Sequence, residues 1–459
     1  MAEKEPKDQL GAAEEIAEDL AGSVLYARDT KQWMVVEDTS CIWKPYTVDQ
    51  FATMVCQSIR DSRIQMTSLD AEEFGTVSAF KGLLPFLRGG SLSVPSFPQS
   101  EATRCPLTVL FPNGCYNLKT GVFRPYEFGD YITDTLAFTY EAPTRPDLGE
   151  ELMSDFLRIF GTKALTESML RWTAVCLTGL TTDQKFMIHY GPTAANGKST
   201  FTNIYAKVFP LYFVKLGSRT FDANYPSAHV HLMNTKGKRY LAVEELKGGK
   251  AKLDTSLVKD VVSGGQLSVR ELFNPRARMM HLEGKLNILC NDIPSFDVDA
   301  GMRRRGLCCA YRTIFVEKEE EVDHSNGRYL ADPHYIDKFN GDEYKLAFFH
   351  LLAKCAVEVL TPGGGGLDPA SELFSGYRDV CDENESILTQ FRAAFDVTNS
   401  PNDRVSKYDV EEAMGTPIRV INPAIKSLRP GVQYKCGIRF PAQKARGGFT
   451  GIQKRQQQQ

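Results

Sequence analysis

One stretch constrains this chain more than any other: Gly191 to Thr200, reading GPTAANGKST. The run ahead of it, Phe186-Met-Ile-His-Tyr190, is apolar and aromatic enough for a buried strand. Behind it, Ser199 to Phe209 repeats apolar residues at roughly helical spacing. Strand, loop of small residues, Lys-Ser/Thr and helix is the order that cradles phosphate. Small residues let backbone N–H groups close around an anion, and a helix N-terminus favours negative charge. In this reading Ala195, Asn196, Gly197, Lys198, Ser199 and Thr200 form the binding loop. Lys198 reaches β/γ oxygens and the Ser199 hydroxyl holds Mg²⁺. The usual spacing has four residues between the glycines, whereas five separate Gly191 from Gly197. Either the loop carries one extra residue or Pro192 stands in the first glycine's place.

Two later strand-like runs end in residues that such a loop needs. Tyr240-Leu-Ala-Val243 runs into Glu244 and Glu245. One acidic side chain at a neighbouring strand end holds the metal's water shell, and the other polarises an attacking water. The plain alternative is a pair of exposed glutamates opening a helix. Leu286-Asn-Ile-Leu-Cys290 ends in Asn291, which either positions water near a γ-phosphate or simply makes the turn before Pro294. Asp299-Ala-Gly-Met-Arg-Arg-Arg305 follows. Its arginines are either a solvated face or a source of transition-state charge neutralisation across a subunit boundary. Between the two strands, alternation on either side of Asn274-Pro275 predicts a hairpin whose tip is flanked by Arg276, Arg278 and His281. It is either an ordinary basic surface hairpin or a projection that grips a nucleic-acid backbone.

The rest of the chain is read around this core. At 459 residues there is room for two or three domains. An acidic, Ala-rich helix leads in, followed by short strands, helices over 47–90, and turns at Asn113-Gly114 and Thr120-Gly121. We place an α+β N-terminal domain at 1–146, an α/β nucleotide-binding core at 150–361 and a small winged-helix-like domain at 367–459. The net charge of −3 advertises no global affinity for nucleic acid, but after Glu412 nine Lys and Arg follow with no acidic residue. A basic terminal module of this kind either binds phosphates or is a solvated tail. Eleven cysteines lack CxxC pairing, and nothing approaches a membrane span. The expectation is therefore a reducing, cytoplasmic or nuclear setting.

The order of these signals resembles the superfamily 3 helicases of DNA viruses, and more narrowly the poxvirus-type primase-helicase family with its phage and giant-virus relatives. Ala195-Asn-Gly-Lys-Ser-Thr200, Lys238-Arg-Tyr-Leu-Ala-Val-Glu-Glu245, Gly264-Gly265 with Arg270, Asn291-x-x-Pro294 and Asp299…Arg304-Arg305 carry the match. In the N-terminal part it rests on Tyr26…Trp33, Trp43, Pro112-Asn-Gly…Leu118-Lys-Thr-Gly121, Asp130-Tyr-Ile and Tyr140, and at the end on Gly447-Gly-Phe-Thr-Gly-Ile452. The resemblance implies an AAA+-like P-loop ATPase, assembled as a hexameric ring, that uses ATP and Mg²⁺ to translocate on single-stranded DNA and unwind forked DNA. It implies phosphate contact by Lys198, metal contact by Ser199 and Glu244, an acidic pair Glu244 and Glu245, a sensor Asn291, and a finger at Arg304 or Arg305. Gln266 departs from the acidic residue usual after Gly-Gly. No primase domain is read ahead of the core, so no primer synthesis is expected of this chain and a separate primase or polymerase is the expected partner. Two other readings stand beside this one: a P-loop ATPase acting on RNA or protein complexes, and a nucleic-acid-binding assembly factor that does not hydrolyse ATP.

Overall fold

The computed structural model describes residues 9–36, 40–64, 76–98, 105–223, 232, 234–244, 252–270, 277–361, 366–368, 371–425, 428, 431–440 and 445–454. The chain divides into two units, Met1–Asn117 with Val122–Tyr140, and Leu118–Gly121 with Glu141–Gln459.

The first unit opens with helix α1 (Gln9–Asp19) and the strands β1 (Val24–Ala27), β2 (Gln32–Val35) and β3 (Lys44–Tyr46). Helices α2 (Val48–Arg60), α3 (Val77–Lys81) and α4 (Leu84–Gly89) follow, then β4 (Ser93–Val94). The sheet order is β3-β2-β1-β4. Thr47 and Gln50 form a capping box that starts α2 where its apolar stripe begins. That stripe, Phe51, Ala52, Val55, Cys56 and Ile59, joins Ala12, Ile16, Trp33 and Phe80 in one core, with Trp33 stacked on Phe51 at 4.0 Å. A second sheet, β5 (Thr108–Phe111), β6 (Gly114–Asn117) and β7 (Val122–Arg124), is an antiparallel meander. Gly114 makes its first turn: a Cβ there would stand 2.3 Å from the Arg124 carbonyl oxygen, and its φ is +153°. Asn113 locks the turn to Tyr140, donating from its side chain to the Tyr140 carbonyl (2.9 Å) and accepting from the Tyr140 N–H (3.0 Å).

The second unit begins with two helices, α5 (Pro146–Phe160) and α6 (Lys163–Leu177). Its centre is a five-stranded, all-parallel sheet of β8 (Phe186–Tyr190), β9 (Phe213–Leu216), β10 (Tyr240–Glu244), β13 (Lys285–Cys290) and β14 (Gly306–Ala310). Helices α7 (Lys198–Val208), α8 (Thr255–Val262) and α9 (Ala300–Arg303), and the hairpin β11 (Gln266–Arg270) and β12 (Ala277–His281), lie between these strands in sequence. The spatial order is β14-β8-β13-β10-β9. In sheet-strand numbers this is 5-1-4-3-2, which places the first strand inside the sheet. Four of five residues of β8 and all six of β13 are buried, as a parallel sheet covered on both faces requires. One face packs α8 and the first half of α11 (Glu372–Ala394). On the other side helices α5, α7 and α10 (Asp342–Leu360) meet through Phe156, Phe201, Phe209 and Phe348. Strands β15 (Ile314–Val316) and β16 (Arg328–Leu330) pair beside the sheet.

The C-terminal segment has its own core, built from Phe391, Phe395, Val405, Val410, Met414, Ile421 and Phe449. It contains β17 (Phe395–Val397), β18 (Arg404–Ser406), α12 (Lys407–Met414), α13 (Ile418–Ala424), β19 (Gln433–Phe440), β20 (Ala445–Thr450) and β21 (Ile452–Lys454). The boundary read at 367 does not separate the cores. Tyr377, Val380 and Cys381 of α11 belong to the parallel-sheet core, while Phe391 near its end belongs to the C-terminal one. The junction is tight: a Cβ at Gly306 would meet the Tyr377 ring at 2.0 Å. Glycine lets α11 lie against β14.

Candidate functional site

The site begins where β8 ends. Gly191 to Gly197 turn back over the strand tip, and α7 starts at Lys198, with Gly197 as N-cap and the Lys198 backbone N–H donating to Asn196 Oδ1 (3.4 Å). The first N–H groups of that helix therefore face the loop. Two residues of the turn have positive φ, Ala195 at 54° and Gly197 at 84°. Gly197 also leaves no room for a side chain, since a Cβ would lie 3.1 Å from Ile159 and 3.2 Å from Phe315. The spacing question is answered by packing. A Cβ at Gly191 would lie 2.1 Å from the Asn196 amide nitrogen and 2.7 Å from Lys198 Nζ. Pro192 is exposed. A side chain at Gly191 would have to displace those of Asn196 and Lys198, which favours Gly191 over Pro192 as the first glycine of the loop expected from the sequence.

Lys198 is 7 % exposed. Its Nζ donates to the Gly191 carbonyl (3.1 Å), to Asn196 Oδ1 (3.0 Å) and to Asn291 Oδ1 (3.0 Å). Asn291 follows β13, the strand beside β8, so the parallel register (Cys290 opposite Tyr190) brings these two predicted residues together. Burial pulls the Lys198 ammonium below its usual pKa. An anion at the loop would favour its charged form. Asn196 is itself buried and donates to the Thr193 carbonyl at 2.5 Å. It is the internal strut of the loop. Ser199 is exposed and Thr200 half-buried in the first turn of α7.

Glu244 ends β10, two strands away on the same carboxyl edge, where it is opposite Leu289 of β13. Its carboxylate is ion-paired with Lys215 of β9, a partner the sequence reading missed. Among the described residues no group of three or more His, Cys, Asp or Glu could hold a metal ion. A nucleotide-bound Mg²⁺ would not need such a group, since it keeps waters and takes one or two protein ligands beside substrate phosphates.

Other predicted residues fall elsewhere. Glu245 and Arg276 lie outside the described residues, as does the side chain of Arg278. The hairpin forms with Gln266 opposite His281 and Arg270 opposite Ala277. This corrects one reading: His281 is exposed at the hairpin's foot, four paired positions from the end of β11, and does not flank the tip. Arg304 and Arg305 sit before β14, whose Gly306 pairs with Phe186 at the start of β8. Arg304 donates to Gln184 (2.6 Å). The length of β8, roughly 13 Å at 3.3 Å per residue, separates that end of the sheet from the Gly191–Gly197 loop. Arg304 therefore stands at the opposite end of β8 from Gly191.

Beneath the loop lies a buried polar network that periodicity could not reveal. Asn287 Oδ1 accepts from Trp172 Nε1 (2.8 Å) and lies 3.1 Å from His189 Nε2. The second nitrogen of that ring, Nδ1, lies 2.9 Å from the Tyr311 hydroxyl. With Asn287 Oδ1 as acceptor, His189 carries its proton on Nε2 and accepts from Tyr311. Burial lowers the His189 pKa from 6.5 to about 4. Arg239 and Lys285 donate to the Leu177 and Thr178 carbonyls at the end of α6, where cations suit the helix terminus.

A cleft of about 740 Å³ opens beside the loop, lined by Ala195, Gly197 and Thr200 and by residues of α5, β15 and β16. Its aromatic residues, Phe315, His324, Tyr329 and Tyr335, carried no signal in the sequence, because they come from a segment without a motif.

Among the described residues no helix is long and apolar enough to cross a membrane. A family model described as D5 N terminal like matches residues 13–160. That span contains the stretches from Tyr26 to Tyr140 on which the N-terminal resemblance rests. Among solved structures, the chain is similar to an apo structure of the NrS-1 C-terminal region, with 13% identity, TM-score 0.40, and coverage of 98% of this chain and 100% of that one. A second, the A form of that region, matches with 12% identity and TM-score 0.41, covering 93% and 96%. No curated protein matches.

Proposed function

We propose that this chain is an ATP-dependent replicative DNA helicase with an AAA+-like core, hydrolysing ATP between subunits of a ring to move on single-stranded DNA. The observation that carries the reading is the contact of Lys198 Nζ with Asn291 Oδ1 at the tip of adjacent strands, over the start of α7. That arrangement presents a cation, backbone donors and a polar sensor to one anion. In this reading Lys198 leaves its three oxygen partners for β/γ-phosphate oxygens. Ser199 and Glu244 hold Mg²⁺, which when bound neutralises charge developing between the phosphates. Glu245 orients the attacking water, and Asn291 holds it near the γ-phosphate. Glu244 must exchange its Lys215 partner to take this part. The place of Arg304 at the far end of the sheet supports a finger reaching a neighbouring subunit's site. The hairpin and the basic C-terminal face, with Lys435 and Arg439 exposed on β19, supply phosphate contacts along the strand.

The test is ATP turnover by the full chain with and without single-stranded DNA, beside Lys198→Ala. Turnover that rises with DNA and disappears in the variant is expected. Nucleotide binding without turnover under either condition would overturn the helicase reading in favour of an assembly factor.

A further inference from the structure

The cleft beside the loop has the shape and lining of a small-molecule site, and it is joined rigidly to the phosphate-binding turn. Its volume, about 740 Å³, lies within the range of ligand pockets. The backbone N–H of Phe315 donates to the Ala195 carbonyl (2.7 Å), so β15 is hydrogen-bonded to the turn itself. Ala195, Gly197 and Thr200 line both the turn and the cleft. A molecule whose phosphates rest on the turn can project its remainder here.

Part of its lining is flat and apolar. His324 and Tyr329 stack with ring centroids 5.0 Å apart and planes 24° from parallel, and Phe315 lies 6.3 Å from Tyr329. Leu330 is 49% exposed and Leu157 41%, both on the cleft wall. Exposed leucines beside aromatic faces, in a lining that also holds Asp332 and the ion-paired Lys338, match a planar ring with polar edges and a hydroxylated sugar. An uncharged peptide or lipid would gain nothing from the adjoining anion site.

We propose that this cleft receives the base and ribose of a nucleoside triphosphate whose phosphates lie on the Gly191–Gly197 loop, with the Tyr329 ring as the stacking platform. The proposal rests on the phosphate-loop reading above. It assigns nucleoside recognition to the β15–β16 pair and the face of α5, elements outside every motif in the sequence.

The experiment is calorimetric titration of the full chain, in excess Mg²⁺, with ATP and with inorganic tripolyphosphate. Wild type is expected to bind ATP at least about tenfold more tightly than tripolyphosphate, the scale of one aromatic–base stack. Tyr329→Ala should lose about tenfold for ATP and leave tripolyphosphate within about twofold, while Tyr329→Phe keeps both. Because Leu330 is exposed, Leu330→Glu is a second probe that leaves the fold alone and should weaken ATP selectively. Equal affinities for the two ligands in wild type, with Lys198→Ala losing both, would sink the cleft proposal and leave the phosphate loop standing. Equal weakening of both ligands by the cleft variants would overturn it as well. If wild type binds neither ligand, the phosphate-loop reading fails and takes this one with it.

Discussion

The sharpest consequence of the loop geometry is the fate of Gly191→Ala. The added methyl would stand 2.1 Å from Asn196 Nδ2, 2.9 Å from Asn196 Cγ and 2.7 Å from Lys198 Nζ. Ordinary contacts begin near 3.4 Å, so these groups must retreat by roughly an ångström. Neither can do so cheaply. Asn196 is 3 % exposed and bonded to the Thr193 carbonyl, and Lys198 is 7 % exposed with three oxygen partners. Overpacking of this kind costs about 1–3 kcal/mol. The lower chain entropy of Ala in the unfolded state offsets about 0.4–1 kcal/mol of it. The net expectation is about 1–2 kcal/mol of lost stability, with the larger effect on function. Moving Lys198 by an ångström should weaken nucleotide binding at least tenfold, about 1.4 kcal/mol. Urea melts give the first quantity and nucleotide titration the second, with Pro192→Ala as the control because Pro192 is exposed. Wild-type affinity in Gly191→Ala, or a greater loss in Pro192→Ala, would refute the assignment of Gly191 to the first glycine of the loop.

Other perturbations read other parts of the molecule. The His189 ring is neutral in the fold, its pKa lowered by burial from 6.5 to about 4. The unfolded chain therefore binds the extra proton between those values, and stability present above pH 6.5 falls as pH drops toward 4, by about 3 kcal/mol from this residue. Urea melts across that window should show a shallower pH slope in His189→Gln, and identical slopes would exclude His189 as the cause. Gly306→Ala forces a Cβ into the Tyr377 ring and should cost about 1–3 kcal/mol; the cost should shrink in a Tyr377→Leu background, and full additivity of the two changes would count against the contact. Arg304→Ala should abolish turnover alone, yet recover part of it when mixed with Lys198→Ala subunits that keep their arginine. Absence of recovery at every mixing ratio would rule out a finger contributed between subunits.

Much of the site could be read from residues because its parts are local. The strand, the small-residue turn and the helix start at Lys198 follow from neighbours in sequence, and so do the strand runs ending at Glu244 and Asn291. The Asn113-Gly114 turn and the amphipathic stripe of α2 were legible for the same reason: each is decided by hydrogen bonds and periodicity within a few residues. Which strand lies beside which is a different matter. Only the 5-1-4-3-2 order places Asn291 against Lys198, 93 residues earlier, and only it sends Arg304 to the opposite end of the sheet. The choice between Gly191 and Pro192 needed the positions of Asn196 and Lys198, not their identities. His189, Asn287, Trp172 and Tyr311 share no spacing, yet the fold closes their polar atoms on one another because none of them reaches water. The cleft is the clearest case. Its walls come largely from α5, β15 and β16, segments whose side chains gain meaning only where packing brings them to the edge of the Gly191–Gly197 loop. Motifs are short-range chemistry and can be written in sequence; a concave surface belongs to the packing of distant segments, and that is decided by the whole fold.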